Sequence, residues 1–136
     1  MGSWVVIHLS SFSRPPGFRC RPPRAATDGL DTSFDTDGRV TTDIGAGTND
    51  SGDSVAVQPD GRVIVAGFAG DDFASARYNV DGSLDTSFDT DGKLVTDVQP
   101  GSSDRAHAVT LQPDGKIVVA GSSGNPSDIA VLRYKR

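Results

Sequence analysis

Nine residues occur twice without change: Leu30-Asp31-Thr32-Ser33-Phe34-Asp35-Thr36-Asp37-Gly38 and again Leu84 to Gly92. Two further blocks follow at the same offset of 54, Gln58-Pro59-Asp60-Gly61 with Gln112 to Gly115, and Val65-Ala66-Gly67 with Val119 to Gly121. Arg77-Tyr78 returns as Arg133-Tyr134 at an offset of 56, so two residues are inserted between Gly124 and Asp128. Asn125-Pro126-Ser127 there marks a loop, where insertions are tolerated. Internal repetition at such a period dictates architecture before any local pattern does. Residues 28–80 are read as one repeat unit and 81–136 as a second.

The pattern inside each unit is that of strands. Arg39 to Ile44 alternates, with Val40, Thr42 and Ile44 on one face, and Lys93 to Val98 follows it less cleanly. The polar content suggests an outer or edge strand. Ser54–Gln58 and Arg62–Gly67 form the clearest hairpin. Pro59 presets φ, Asp60 accepts backbone hydrogen bonds and Gly61 permits a left-handed conformation. Lys116–Gly121 repeats its second arm. Asp72–Tyr78 and Asp128–Tyr134 are apolar on both faces, as when sheets stack. The expectation is an all-β chain of two four-stranded antiparallel units. A packed sandwich of two four-stranded sheets is the alternative.

Composition agrees. All 18 acidic residues are Asp, with 16 Gly and 8 Pro among 136 residues. Asp serves turns and caps rather than helix surfaces. Apolar residues make up 35%, which implies a thin, sheet-based core. Charge is divided. Residues 1–27 carry Arg14, Arg19, Arg21 and Arg24 and no acid, whereas residues 28–136 hold nine basic and 18 acidic residues, a net of −9. Such a surface is a poor match for nucleic acid. No stretch reaches transmembrane length, so no membrane insertion is expected. Arg14-Pro15-Pro16-Gly17 and Arg21-Pro22-Pro23-Arg24 rule out helix and central strand, and 1–27 reads as a disordered basic leader. Trp4 to Leu9 is too short for a secretion signal and has no positive residue before it. Cys20 has no cysteine partner within the chain.

The L-D-T-S-F-x-T-D-G block, the V-x-[VL]-Q-P-D-G-[RK]-[IV]-x-V-A-G hairpin and the closing [AL]-R-Y resemble the delta-60 repeat family of bacterial proteins. Together they span nearly all of residues 28–136. The hairpin also resembles blades of six-bladed soil-type and NHL-type β-propellers. The resemblance implies blade-like units, a partial propeller, and an extracellular or cell-surface setting. It implies too that the P-D-G strands lie innermost and the strand at 39–44 outermost, where it could pair with 128–134. At positions 35 and 89 the family more often has Gly.

Propellers close with about four to eight blades, and two blades leave apolar faces in water. The expectation is therefore either further repeats of a longer chain or self-association, with a ring of three chains giving six blades. Val63, Val65, Ile117, Val119, Ile129 and Val131 are the apolar residues expected on the open faces.

The most site-like element is Ser33 to Gly38 with its copy Ser87 to Gly92. Oxygen-bearing residues at alternate positions followed by Gly match the first half of a calcium loop, with Asp35, Asp37, Asp89 and Asp91 as candidate Ca²⁺ ligands. The distal Glu of such a loop is absent, since Ile44 and Val98 stand there. Asp-Gly is equally a tight-turn signal, and the turn outweighs the metal site. Further oxygens from Asp43 or Asp97 would favour the ion. Arg77 and Arg133 end apolar strands and are expected to pair with carboxylates, with an anion-binding ring around a channel as the alternative. His107 occupies the slot of Asp53 in the other copy, and no nucleophile–base arrangement is legible. The expectation is a non-enzymatic structural or binding segment, with a calcium-stabilised surface adhesion module as the alternative.

Overall fold

The structure, a computed structural model, describes residues 29–136. The leader expected at 1–27 lies outside them. The described residues form seven strands: β1 Asp50–Val57, β2 Val63–Ala69, β3 Asp72–Tyr78, β4 Lys93–Thr96, β5 Arg105–Leu111, β6 Ile117–Ser123 and β7 Asp128–Tyr134. They form two antiparallel sheets, ordered β1-β2-β3-β4 and β5-β6-β7. Among the described residues no helix is long and apolar enough to cross a membrane.

The hairpins follow the expected chemistry. Gly61 N donates to Gln58 O at 2.9 Å and Gly115 N to Gln112 O at 2.8 Å, which closes the two P-D-G turns. Gly61 and Gly115 adopt φ of 86° and 83°, as their place in the turn requires. The first hairpin reaches back beyond the expected Ser54 to Asp50, and the first strand of each hairpin carries a bulge, between Gly52 and Ser54 and between Ala106 and Ala108. The two-residue insertion falls at the β6–β7 turn, 124–127.

Two four-stranded units are not what forms. Residues 39–44 are not a strand, and the outer strand of the first sheet, β4, comes from the second repeat. An outer strand needs an open edge of the β3 kind to pair with. Such an edge lies one repeat earlier in the chain than the strand that fills it, and among the described residues none precedes 39–44. Nor do those residues lie beside β7. Instead Thr42 Oγ1 accepts from Tyr78 Oη at 2.8 Å, while in the second repeat Thr96 Oγ1 and Tyr134 Oη are 3.0 Å apart. Residues 39–42 thus touch the first sheet as β4 touches the second. They stand in the place of an outer strand from a preceding blade.

The sheets stack face to face. Ile64, Ala66 and Phe73 of the first pack with Ala106, Ile117, Val119 and Ala130 of the second in one core. Ile117 and Val119, expected on an open face, are 0% exposed because they fill this joint. Each fully buried aliphatic or aromatic side chain stabilises by about 1.5–3 kcal/mol. Ile129 and Val131 are 89% and 64% exposed on the far face of the second sheet, and Val55 and Val57 are 61% and 63% exposed on the far face of the first. The molecule is an open stack of two blade-like sheets with an apolar face at each end.

Candidate functional site

The junction between β3, β4 and the turn at 84–92 concentrates the buried polar chemistry. That turn builds itself. Asp85 Oδ1 accepts Ser87 N at 3.1 Å and Ser87 Oγ at 2.7 Å, and Gly92 N closes on Phe88 O at 2.8 Å. The copy at 30–38 makes the same bonds, from Ser33 N (2.9 Å) and Ser33 Oγ (2.7 Å) to Asp31 Oδ1 and from Gly38 N to Phe34 O (2.7 Å). The capping bonds are therefore local in both copies, and at 30–38 Asp35 N also donates to Asp81 O at 2.8 Å.

Arg77 joins this turn to β3. Its Nε lies 2.7 Å from Asp85 Oδ2, its Nη2 donates to Ser87 Oγ at 3.0 Å, and its guanidinium carbon lies 4.8 Å from the Phe88 ring centre. Both Arg77 and Asp85 are buried. Burial works to raise the Asp85 carboxyl, but Ser87 and the charges of Arg77 and Arg62 outweigh it and hold the group below the usual carboxylate range. The expected pairing of Arg77 is present. Arg133, its repeat counterpart, is exposed.

The four candidate calcium ligands are placed as turn residues. Asp37 Oδ1 and Asp91 Oδ1 each accept a backbone N–H two residues on, from Arg39 and Lys93, at 2.9 Å. Asp35 and Asp89 take φ of 45° and 46°. This is the left-handed region, which Gly adopts freely and Asp tolerates better than most residues. Asp is therefore tolerated at both positions.

A different set of carboxylates converges. Oxygens of Asp72, Asp97 and Asp104 lie within 4.8 Å of one another where the end of β4 meets β3 and the start of β5. None of Asp35, Asp37, Asp89 or Asp91 is in this group. Asp104 is fully buried and accepts Val98 N at 2.8 Å, Gln99 N at 3.2 Å and Ser102 Oγ at 2.8 Å. Burial, then the charges of Asp97, Asp104 and Asp71, push the Asp72 carboxyl above its usual range. A sequence signal for the group existed. Asp43, Asp50 and Asp128 are its repeat counterparts, and Asp50 accepts Ile44 N at 2.6 Å and Thr48 Oγ1 at 2.7 Å in the manner of Asp104.

A groove of about 790 Å³ runs between the two P-D-G turns, lined by Val57, Gln58, Pro59, Leu111, Gln112 and Arg136 among others. The buried Oε1 atoms of Gln58 and Gln112 have no hydrogen-bond partner among the described residues. His107 Nε2 lies 3.3 Å from Ser122 Oγ on the exposed side of the β5–β6 hairpin.

A family profile described as "Domain of unknown function (DUF5122) beta-propeller" matches residues 58–88 and 112–136. Both segments start at the Gln of a Gln-Pro-Asp-Gly turn, 54 residues apart. The match supports a propeller-type repeat. No curated protein and no solved structure matches the chain.

Proposed function

We propose that the chain is a non-enzymatic structural and binding segment of a delta-60-type β-propeller, contributing two blades to a larger ring. One observation carries this reading: the second repeat completes the first sheet through β4, while among the described residues no strand pairs with the equivalent edge of the second sheet, on β7. A unit finished by its successor is a piece of a series. The groove between the P-D-G turns is the surface best suited to recognition, since it joins apolar walls at Val57, Pro59 and Leu111 to the charged Asp60, Asp114 and Arg136. The resemblance to delta-60 repeats suggests a bacterial, extracellular or cell-surface setting.

The non-enzymatic part is tested by assaying hydrolase and lyase substrates with the chain and with His107→Ala in parallel. No turnover by either is expected. A turnover lost in His107→Ala would contradict the reading. The alternative, a calcium-stabilised adhesion module using Asp35, Asp37, Asp89 and Asp91, has less support, because the carboxylates of Asp37 and Asp91 are already engaged by backbone N–H groups. Calorimetric titration with millimolar calcium separates the two. Binding heat together with a raised melting temperature would favour the module, and neither is expected.

A further inference from the structure

We infer that the bare edge of β7 takes residues 30–42 of a second copy of this chain, in the register in which β3 takes residues 84–96. The inference rests on the blade reading above and adds to it the partner and the contacts. Inside the chain, Phe73, Ala74, Ser75 and Ala76 lie opposite Thr96, Val95, Leu94 and Lys93. Arg77 N donates to Gly92 O at 2.9 Å, and Asp85 N donates to Arg77 O at 2.8 Å. Shifted by the repeat offsets, Ile129, Ala130, Val131 and Leu132 fall opposite Thr42, Thr41, Val40 and Arg39 of the second copy. Arg133 then meets Asp31 of that copy as Arg77 meets Asp85.

Both halves of this joint are already formed. The 30–38 turn has the hydrogen bonds of the 84–92 turn, so it docks without folding anew. Residues 39–42 stand at the outer-strand position beside the first sheet, held by Thr42 on Tyr78. On the other side, β7 offers an edge unpaired among the described residues, with Ile129 and Val131 exposed, where their counterparts Phe73 and Ser75 are 1% and 3% exposed. Charge is complementary: Arg133 and Asp31 are both exposed, and the Ser33 hydroxyl and amide hold the Asp31 carboxyl below its usual range, so it is ionised at neutral pH.

The end faces fix the mode of contact. The in-chain joint sets the Ile64–Phe73 face of one sheet against the Ile117–Val119 face of the next. At the ends, the free face of the second sheet is of the first kind and that of the first sheet is of the second kind. Copies therefore join head to tail, and such contacts close into a ring when the rotation allows. Three chains give six blades, within the range of closed propellers. One element has no counterpart. Arg105 lies 3.8 Å over the Phe68 ring within the chain, whereas Ser51 and Ser122 stand at those repeat positions. The joint between copies is accordingly weaker, and assembly depends on concentration.

Two disulfide pairs in the full-length Cys20→Ser chain test this. Directly opposed residues on antiparallel strands have the Cα spacing that a disulfide accepts. Ser75→Cys with Leu94→Cys reports the in-chain joint, and Val40→Cys with Val131→Cys reports the joint between copies. The first pair should close within one 14.2 kDa chain, and the second should link chains into multiples of that mass on oxidation. If the first closes but the second stays reduced, or closes within one chain, the second-copy inference fails while the blade reading stands. If the first stays reduced in a folded chain, the blade reading fails and the inference with it. A charge change on the exposed Arg133 gives an independent readout that leaves the core and the 30–38 turn intact. Arg133→Asp should reduce the assembled mass in light scattering, and Arg133→Lys, which keeps the charge, should retain most of it. A mass unchanged by Arg133→Asp would overturn the Arg133–Asp31 contact.

Discussion

Gly67 and Gly121 end the repeated Val-Ala-Gly block, and the structure supplies the reason for them. A Cβ on Gly67 would sit 1.9 Å from Ser51 O, and one on Gly121 would sit 1.9 Å from Arg105 O. Each carbonyl is brought close by the bulge in the facing strand. Gly121→Ala must push that strand away, and we expect a loss of about 1–3 kcal/mol, the usual cost of overpacking, read from the denaturant midpoint. Asp72 is a residue with the opposite prospect. Its carboxyl is raised by burial and neighbouring acids, so its ionisation opposes folding, and that penalty grows as pH rises through and above 3.8. Asp72→Asn should raise the melting temperature at neutral pH, and the gain should vanish below pH 3.8, where Asp72 is protonated in both the folded and unfolded states. A gain that persisted in acid would show that charge is not its cause. The glycines were legible as repeats but their purpose was not, because a bulge leaves no mark in apolar periodicity.

Among the strands, β3 and β7 make the most informative pair, since they are the same element in different surroundings. β3 is buried from Phe73 to Tyr78, whereas β7 alternates between exposed and covered residues. Arg77→Met would leave Asp85 buried with only Arg62 Nε, 3.1 Å away, as a cationic partner. Breaking a buried pair costs about 3–5 kcal/mol, and Arg62 and Ser87 should hold the loss to the low end. Arg133→Met in the monomer should change stability little, because Arg133 is exposed. Chemical denaturation of the two variants side by side checks this, and equal losses would contradict the asymmetry of the strands. The strands themselves were well marked in sequence: Asp72–Tyr78 and Asp128–Tyr134 have the expected bounds. The fate of 39–44 was not. Its alternation is that of a strand, but whether a strand forms depends on an edge to receive it, and an edge is a property of neighbouring units rather than of the residues themselves.

For the whole molecule, the balance of carboxyl groups sets the response to acid. Asp31, Asp50, Asp81, Asp85, Asp104 and Asp114 are all held below the ordinary 3.8. The stability they contribute is present above that value and is lost as pH falls through their lowered ones. Asp72 works in the opposite sense. Melting temperature should therefore fall steadily as pH is taken below 3.8, and a chain that gained stability there would contradict the signs of these shifts. The same groups explain why the site was only partly legible. Turn aspartates announce themselves by sequence spacing, whereas Asp72, Asp97 and Asp104 meet only once β4 has crossed to the sheet of the preceding repeat. Cross-strand proton contacts in nuclear magnetic resonance of the labelled chain report that crossing. Lys93–Thr96 should contact β3, with Val95 facing Ala74 and Leu94 facing Ser75. Contacts of Lys93–Thr96 with strands of their own repeat, and none with β3, would contradict it.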